Sequence, residues 1–406
     1  MQDRPEPLSP QDLRHLGVDP DRLGRIRAWM AAQGHRLPGL AVQMTRRGQV
    51  VFSARHGLRD AEAGLPVTHD TVWRIYSMTK PLTSILALTL YEEGAFRLDQ
   101  PLADFLPGFA DMRVWKGPGH DLDATEPLNR PVTIHDLFTH QAGLPYGNPA
   151  GDALERAYID AGLTLDVHGD TAAQAITRLT ALPLADQPGA RWRYGVATDV
   201  LGHLVEVLTG QSLDLVMADR LLTPLGMTET GFQLRPDQAG RLAALYQVAP
   251  GGFLRAAQQA APFAPVTFHS GGGGLVSTLG DYQRFVDLLL ARGRGVLGRK
   301  TFDLMVANHM HRNGVACDLA GRGQPHFSET TFEGIGFGLG VSVMLDPARA
   351  KILGTAGEFA WGGAASTAFW VDPVEDLSVI LMTQLLPSSA HPLRRELRAL
   401  TYQALI

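Results

Sequence analysis

Strand-forming segments occupy the two ends of this chain and leave its middle almost empty of them, and that distribution limits the folds open to it. Near the N-terminus, Leu40–Thr45 and Val50–Ala54 are β-rich runs joined through Gly48, the pattern of an antiparallel hairpin. Near the C-terminus, Phe337–Leu345, Ile352–Thr355, Ser366–Val371 and Leu377–Leu385 read as strands, with Asp372–Asp376 as a hairpin loop between the last two. Residues 97–265 offer loops and helices but no good strand candidate. A lone hairpin is marginal in water. The strands of both ends therefore belong in one antiparallel sheet with helices on its faces, and the helical middle is an insertion. The expected fold class is α/β, of the α+β type. At 406 residues the chain is too long for one simple core. The expected partition is 1–85 and 266–406 as the two parts of an α/β domain, with 86–265 as a mainly helical domain.

Helix signals fill in the rest. A polar lead-in over 1–36 runs into a helix that buries Leu23, Ile26 and Met30. The apolar run Leu82–Glu93 reads as a buried helix stopped by Gly94. Pro81 conflicts with a helix interior, so either the helix begins near Met78 or its first turn is irregular. Thr133-Ile134-His135-Asp136 is a capping-box pattern opening a short helix that ends by Gly143. Further helices are expected over 170–182, 197–209, 212–222, 279–291, 299–308 and 392–405.

At the foot of the Leu82 helix stands Tyr76-Ser77-Met78-Thr79-Lys80, which holds the sequence's one Ser-x-x-Lys. Ser and Lys at that spacing lie one helical turn apart. A serine hydroxyl becomes a useful nucleophile when a neighbouring base takes its proton, and a desolvated neutral Lys can do so. The competing reading makes Ser77 a helix cap and Lys80 a solvated charge. Composition weighs on the other side. Of 36 basic side chains only Lys80, Lys116, Lys300 and Lys351 are Lys; the others are Arg, which cannot act as a base.

Such a nucleophile needs a second proton-handling group and donors for an oxyanion. Arg193-Tyr194-Gly195-Val196, ahead of a helix, offers Tyr194, which otherwise reads as a core aromatic. Glu358-Phe359-Ala360-Trp361-Gly362-Gly363-Ala364 offers glycines that admit close backbone approach, and an Ala364 N–H able to join that of Ser77 as an oxyanion hole. Taken in order, and with Leu137-Phe138-Thr139-His140-Gln141-Ala142-Gly143-Leu144 and Gly273-Gly274-Leu275-Val276-Ser277-Thr278, these stretches resemble the serine β-lactamase and penicillin-binding-protein superfamily. They resemble its family VIII carboxylesterase branch more closely. The resemblance spans nearly the whole chain. It implies that Ser77 is acylated, that Lys80 and Tyr194 share the proton transfers, and that Trp361-Gly362-Gly363 stands where lactamases carry Lys-Thr-Gly.

The departures from the lactamase pattern bear on substrate. Class C lactamases have Asn two residues after the catalytic Tyr; here Val196 can neither donate nor accept. The lactamase cation for the antibiotic carboxylate is replaced by Trp361, an apolar wall that suits a neutral ester. The resemblance thus implies a cofactor-free serine hydrolase of short-chain carboxylic esters, with Trp361, Gly362, Gly363 and Val196 against the substrate. Acyl transfer and β-lactam or D-amino-amide hydrolysis remain alternatives of the same chemistry, and a non-catalytic binding protein an alternative of another class. The chain lacks Gly-x-Ser-x-Gly, which removes the α/β-hydrolase nucleophile elbow.

Other functions find little footing. A net charge of −5 gives no support for nucleic-acid binding. His135 and His140 are five apart and outside any His-Glu-x-x-His, which argues against zinc. Gly271–Gly274 lacks the Gly-Lys-[ST] ending of a phosphate cradle and reads as a tight backbone approach. Arg394 and Arg395 read as a solvated helix face. One cysteine, Cys317, allows no internal disulfide framework. No secretory pattern is visible in Met1–Pro7 and no run reaches membrane-span length, so a cytoplasmic location is expected. The sequence is silent on oligomeric state.

Overall fold

A computed structural model describes residues 8–163, 170–256, 266–312, 314–320 and 332–406; the first part of the polar lead-in, 1–7, lies outside them. At its centre is an eight-stranded antiparallel sheet drawn from both chain ends. Across the sheet run Ile335–Phe337, Ser342–Met344, Phe359–Gly362, Ala368–Asp372, Leu377–Thr383, Gly39–Arg46, Gln49–Asp60 and Leu65–Pro66. The N-terminal hairpin joins the C-terminal strands along Leu40↔Thr383 to Arg46↔Leu377. Period-two alternation decides which side chain goes to which layer. From Leu377–Thr383, Val379 and Leu381 pack with Leu23, Ile26, Met30 and Leu397 of the terminal helices Pro20–Ala31 and Leu393–Tyr402. Ile380 and Met382 point the other way, to Leu82, Ile85 and Leu86 of the helix Thr79–Glu92. Each of these leucines is fully buried, and full burial of such a side chain stabilises by about 2 kcal/mol.

Several sequence readings need correction. Strands do occur in the middle of the chain: Arg113–Trp115 pairs Thr125–Pro127, and Tyr246–Ala249 pairs Gly252–Arg255. The first ladder is three residues long, below the length at which alternation is visible; the second turns at Pro250-Gly251, a turn signal that the helical reading passed over. A helix at Ala153–Asp160, capped by the Asp152 side chain, was also unexpected. In the tail, Ile352–Thr355 forms no strand, because the preceding Pro347–Ala350 is a helical turn that ends with Lys351 at φ 57°. Its place in the sheet is taken by Phe359–Gly362.

The run Phe337–Leu345, read as one strand, is instead the turn and second arm of a hairpin, Ile335–Phe337 paired with Ser342–Met344, which reverses through Gly338-Leu339-Gly340-Val341. Thr133 and Asp136 form the reciprocal cap of Ile134–Phe138. Pro81 sits in the first turn of Thr79–Glu92, with Met78 as N-cap, where its missing N–H has no intrahelical acceptor to lose. Among the described residues no single helix is long and apolar enough to cross a membrane; the bent pair Ala197–Thr209 and Leu213–Leu222 is apolar by composition, and most of its leucines and valines are buried in the core.

Candidate active site

Ser77 lies in a short 3-10 turn, Tyr76–Met78, that leads into the helix Thr79–Glu92. Tyr76 adopts φ 45°, costly for a non-glycine residue and held by its surroundings. The flanks are pinned: Ile75 N–H donates to Leu275 O at 3.1 Å, and Tyr282 Oη donates to Met78 O at 3.0 Å. The turn directs Ser77 to a cavity of about 140 Å³ while Lys80, one turn on, is buried behind it at 1% exposure.

Three contacts surround the Lys80 side-chain nitrogen. Nζ lies 3.4 Å from Ser77 Oγ, 2.7 Å from Tyr146 Oη and 2.6 Å from Gly272 O. It also lies 4.8 Å from the centre of the Tyr194 ring. The structure therefore brings Ser77, Lys80 and Tyr194 together as the sequence suggests. It adds Tyr146, to which the sequence reading assigned no role. Burial, then the neighbouring Tyr194 and Asp199 and a hydrogen bond to Tyr194, hold the Tyr146 hydroxyl well above the usual tyrosine range, so it stays protonated.

The tetraglycine explains the third contact. Asp199, at the start of the helix Ala197–Thr209, accepts from Ser270 Oγ at 2.5 Å and from Gly272 N–H at 3.0 Å. A Cβ on Gly272 would stand 2.5 Å from the Asp199 carboxylate, and one on Gly271 would stand 2.7 Å from Thr198 O. Only glycine lets this segment press on the helix and deliver its carbonyl to Lys80.

Tyr194 arrives on a similarly tight segment. Arg193 N–H donates to His140 O at 2.7 Å, the Arg193 side chain pairs with Asp186 at 2.6 Å, and a Cβ on Gly195 would lie 2.0 Å from Leu144 O. The Tyr194 ring stacks on Trp192 and meets Trp361 edge-on at 5.5 Å. His140 is fully buried against Tyr194, and neither ring nitrogen has a partner. Burial, and then the charge of Lys80, push its imidazole well below the usual histidine range, which keeps it neutral.

Trp361, Gly362, Gly363 and Ala364 line the cavity with Ser77. A Cβ on Gly363 would lie 2.4 Å from Ile75 O, so this glycine is what allows the Trp361 strand to touch the Ser77 turn and bring the Gly363–Ala364 peptide beside it. Val196 stands apart. It caps the helix Ala197–Thr209 and lines a second, smaller cavity of about 20 Å³ with Leu163 and Phe268, not the cavity of Ser77. Arg394, read as part of a solvated face, is half-buried under the Trp361 strand, where it donates to Gly363 O and Thr367 O; only Arg395 of the pair is exposed.

Among the described residues no three His, Cys, Asp or Glu side chains converge as metal ligands do. His135 pairs instead with His309 at 3.0 Å.

The sequence matches the Beta-lactamase family over residues 26–403. It is 32% identical over 372 residues to Esterase EstB of Burkholderia gladioli, covering 87% of each chain. To a Monacolin J acid methylbutanoyltransferase of Aspergillus terreus it is 30% identical over 379 residues, covering 88% of this chain and 89% of that one. Among solved structures, EstCE1, described as a hydrolase with promiscuous acyltransferase activity, superposes with a TM-score of 0.79 at 25% identity, covering 94% of this chain and 99% of that one. The sheet built from both ends, the ordered motifs and these matches agree: this chain is a serine hydrolase belonging to the Beta-lactamase family.

Proposed function

We propose that this protein cleaves carboxylic esters of short acyl chains through an acyl-enzyme on Ser77. The observation that carries the reading is the buried Lys80 amine 3.4 Å from Ser77 Oγ, at a cavity whose walls include Tyr146, Trp192, Tyr194 and Trp361. As a base Lys80 acts in its neutral form, an amine with two N–H groups and one lone pair. Gly272 O can only accept, so it takes one N–H; the other N–H and the lone pair divide between Tyr146 and Ser77. With Tyr146 as acceptor, the lone pair faces the Ser77 hydroxyl, the arrangement of a general base.

Ser77 Oγ then attacks the ester carbonyl and its proton passes to Lys80. The oxyanion is received by the N–H groups of Ser77 and Ala364. Tyr194 delivers a proton to the departing alkoxide, which leaves as alcohol. Water enters, gives a proton back through Tyr194, and attacks the acyl-enzyme; collapse returns the proton to Ser77 and releases the acid. If an alcohol enters in place of water the same steps transfer the acyl group, a second reading favoured by the similarity to a methylbutanoyltransferase. Lactam hydrolysis is supported less, because Trp361 offers no cation to a carboxylate. A cytoplasmic site of action accompanies this proposal.

Hydrolysis of a short nitrophenyl ester tests it. Ser77→Ala loses more than about a thousandfold in kcat/KM, as removal of a nucleophile does, and a fluorophosphonate labels Ser77 in the parent. Equal turnover by parent and Ser77→Ala, or a label elsewhere, overturns the assignment. Lys80→Arg keeps the charge and removes the base, and activity collapses with it. Product analysis with added alcohol acceptors separates hydrolysis from transfer.

A further inference from the structure

We propose that Arg394, half-buried under the Trp361 strand and lining the same cavity as Ser77, is a positioning residue that orients and polarises the oxyanion-binding peptide. The inference rests on the reading that the Ala364 N–H receives the oxyanion. That N–H and the Gly363 carbonyl belong to one peptide unit, so whatever binds the carbonyl acts on the N–H across the same resonance.

One terminal nitrogen of Arg394, Nη2, serves both carbonyls of this corner. It donates to Gly363 O at 3.3 Å and to Thr367 O at 3.1 Å. Thr367 O also accepts the Gly363 N–H at 2.9 Å. Gly363 is thus held at both its N–H and its C=O by a closed set of bonds running through Thr367 and the guanidinium. A cation on the carbonyl oxygen draws electron density out of the peptide and makes its N–H a stronger donor, while the fixed plane spares the reaction any reorganisation. Gly362 carries the imprint of this contact: a Cβ there would lie 2.5 Å from Nη2 and 2.6 Å from Cζ of Arg394. The first glycine of Trp361-Gly362-Gly363 thereby makes room for the guanidinium, and the second makes room for Ile75 O. Arg394 is held in place by the helix Leu393–Tyr402, whose Leu393 and Leu397 are buried in the terminal-helix core. It acts on the reaction through the peptide.

The test compares Arg394→Ala, Arg394→Lys and the exposed-neighbour control Arg395→Ala on a nitrophenyl ester, with a separate sample of each protein treated with a fluorophosphonate to locate the reactive serine. Arg394→Ala should lower kcat about tenfold with KM within about twofold, less than deletion of an oxyanion donor costs. Millimolar guanidinium chloride, against sodium chloride at equal ionic strength, should restore part of the loss. Arg394→Lys, which keeps a cation within reach of one carbonyl, should fall between parent and Ala, and Arg395→Ala should match the parent. Unchanged kcat in Arg394→Ala overturns the proposal, as does a loss that guanidinium leaves untouched and Arg394→Lys shares in full. If Arg394→Ala does not fold, the Lys variant decides: parent-like kcat with Ser77 labelled overturns the brace. A label that falls elsewhere than Ser77 in the parent removes the active-site reading itself, which keeps the two failures distinct.

Discussion

Replacing Gly363 with Ala adds one methyl group at the contact between the Trp361 strand and the serine turn. The new Cβ would stand 2.3 Å from Thr367 Oγ1 and 2.4 Å from Ile75 O. The threonine side chain can rotate, but Ile75 O is backbone two residues before Ser77 and is pinned on both sides. A carbon–oxygen contact settles near about 3.3 Å, slightly inside the optimum for two carbons, so strand and turn must part by roughly 0.9 Å. Overpacking of this kind costs about 1–3 kcal/mol of stability. The kinetic effect is larger. The displacement carries the Ala364 N–H away from the reacting carbonyl, and a misplacement of about 1 Å lowers turnover about a hundredfold, equivalent to about 2.7 kcal/mol of barrier. Steady-state kinetics on a nitrophenyl ester and a thermal melt measure the two effects separately. The expected result is a large fall in kcat with KM little changed and a folded protein of somewhat lower Tm. Removing the Thr367 side chain in the same protein should not rescue it, because the carbonyl overlap remains. Gly363→Ala with parent-like kcat and Tm would refute the claim that this glycine sets the distance between strand and serine.

Three further outcomes follow from the geometry. Tyr146→Phe removes the 2.7 Å partner of Lys80 without changing ring shape, and should lower kcat by about tenfold, the effect of one hydrogen bond of about 1.4 kcal/mol; undiminished kcat would remove Tyr146 from the lysine's network. Gly24, exposed in the helix Pro20–Ala31 with open space around its missing Cβ, should be replaceable by Ala with a gain of about 0.5–1 kcal/mol in urea unfolding, and a loss there would contradict the helix. His135 has its imidazole pulled down to about 4 by burial, then by the charge of His309, with Arg130 and His311 acting the same way and Asp136 opposing. The unfolded chain binds this proton near pH 6.5 and the folded one does not until about pH 4, so stability should be full above pH 6.5 and fall on acidification through that window, by on the order of 3 kcal/mol. His135→Asn should flatten that fall, and melts at several pH values that superpose for both proteins would exclude it.

The parts of this site that were legible in the sequence are those with side-chain chemistry of their own. Ser77, Lys80 and Tyr194 announce themselves by residue type, by spacing and by chain order. The scarcity of Lys was a weaker guide than it seemed, since Lys116, Lys300 and Lys351 are all exposed and Lys is not excluded from the surface. Burial under the Ser77 turn is what separates Lys80 from them, and burial is a property of the fold. Tyr146 and Asp199 were hidden because their partners lie 66 and 73 residues away, a distance that no local pattern spans. Short ladders such as Arg113–Trp115 were hidden because three residues carry no period.

The geometry of the proposed reaction depends on groups that have no letter in the sequence. They are the carbonyls of Gly272 and Gly363 and the N–H of Ala364, and every residue carries such groups. Their positions are nevertheless recorded indirectly. Gly272, Gly362 and Gly363 are the places where a Cβ would collide with Asp199, Arg394 and Ile75 O respectively. Each glycine marks a point where one backbone has been pressed against a second element to aim a carbonyl or an amide. The two glycine motifs, which taken alone look like flexible turns, thus serve rigidity. In the proposed mechanism Gly272 fixes the base from one side of Ser77, and Gly362 with Gly363 fixes the oxyanion peptide from the other. A substitution at any of the three should therefore fall on kcat before it falls on folding, whereas at Gly24, where nothing is pressed close, the same change should fall on stability alone.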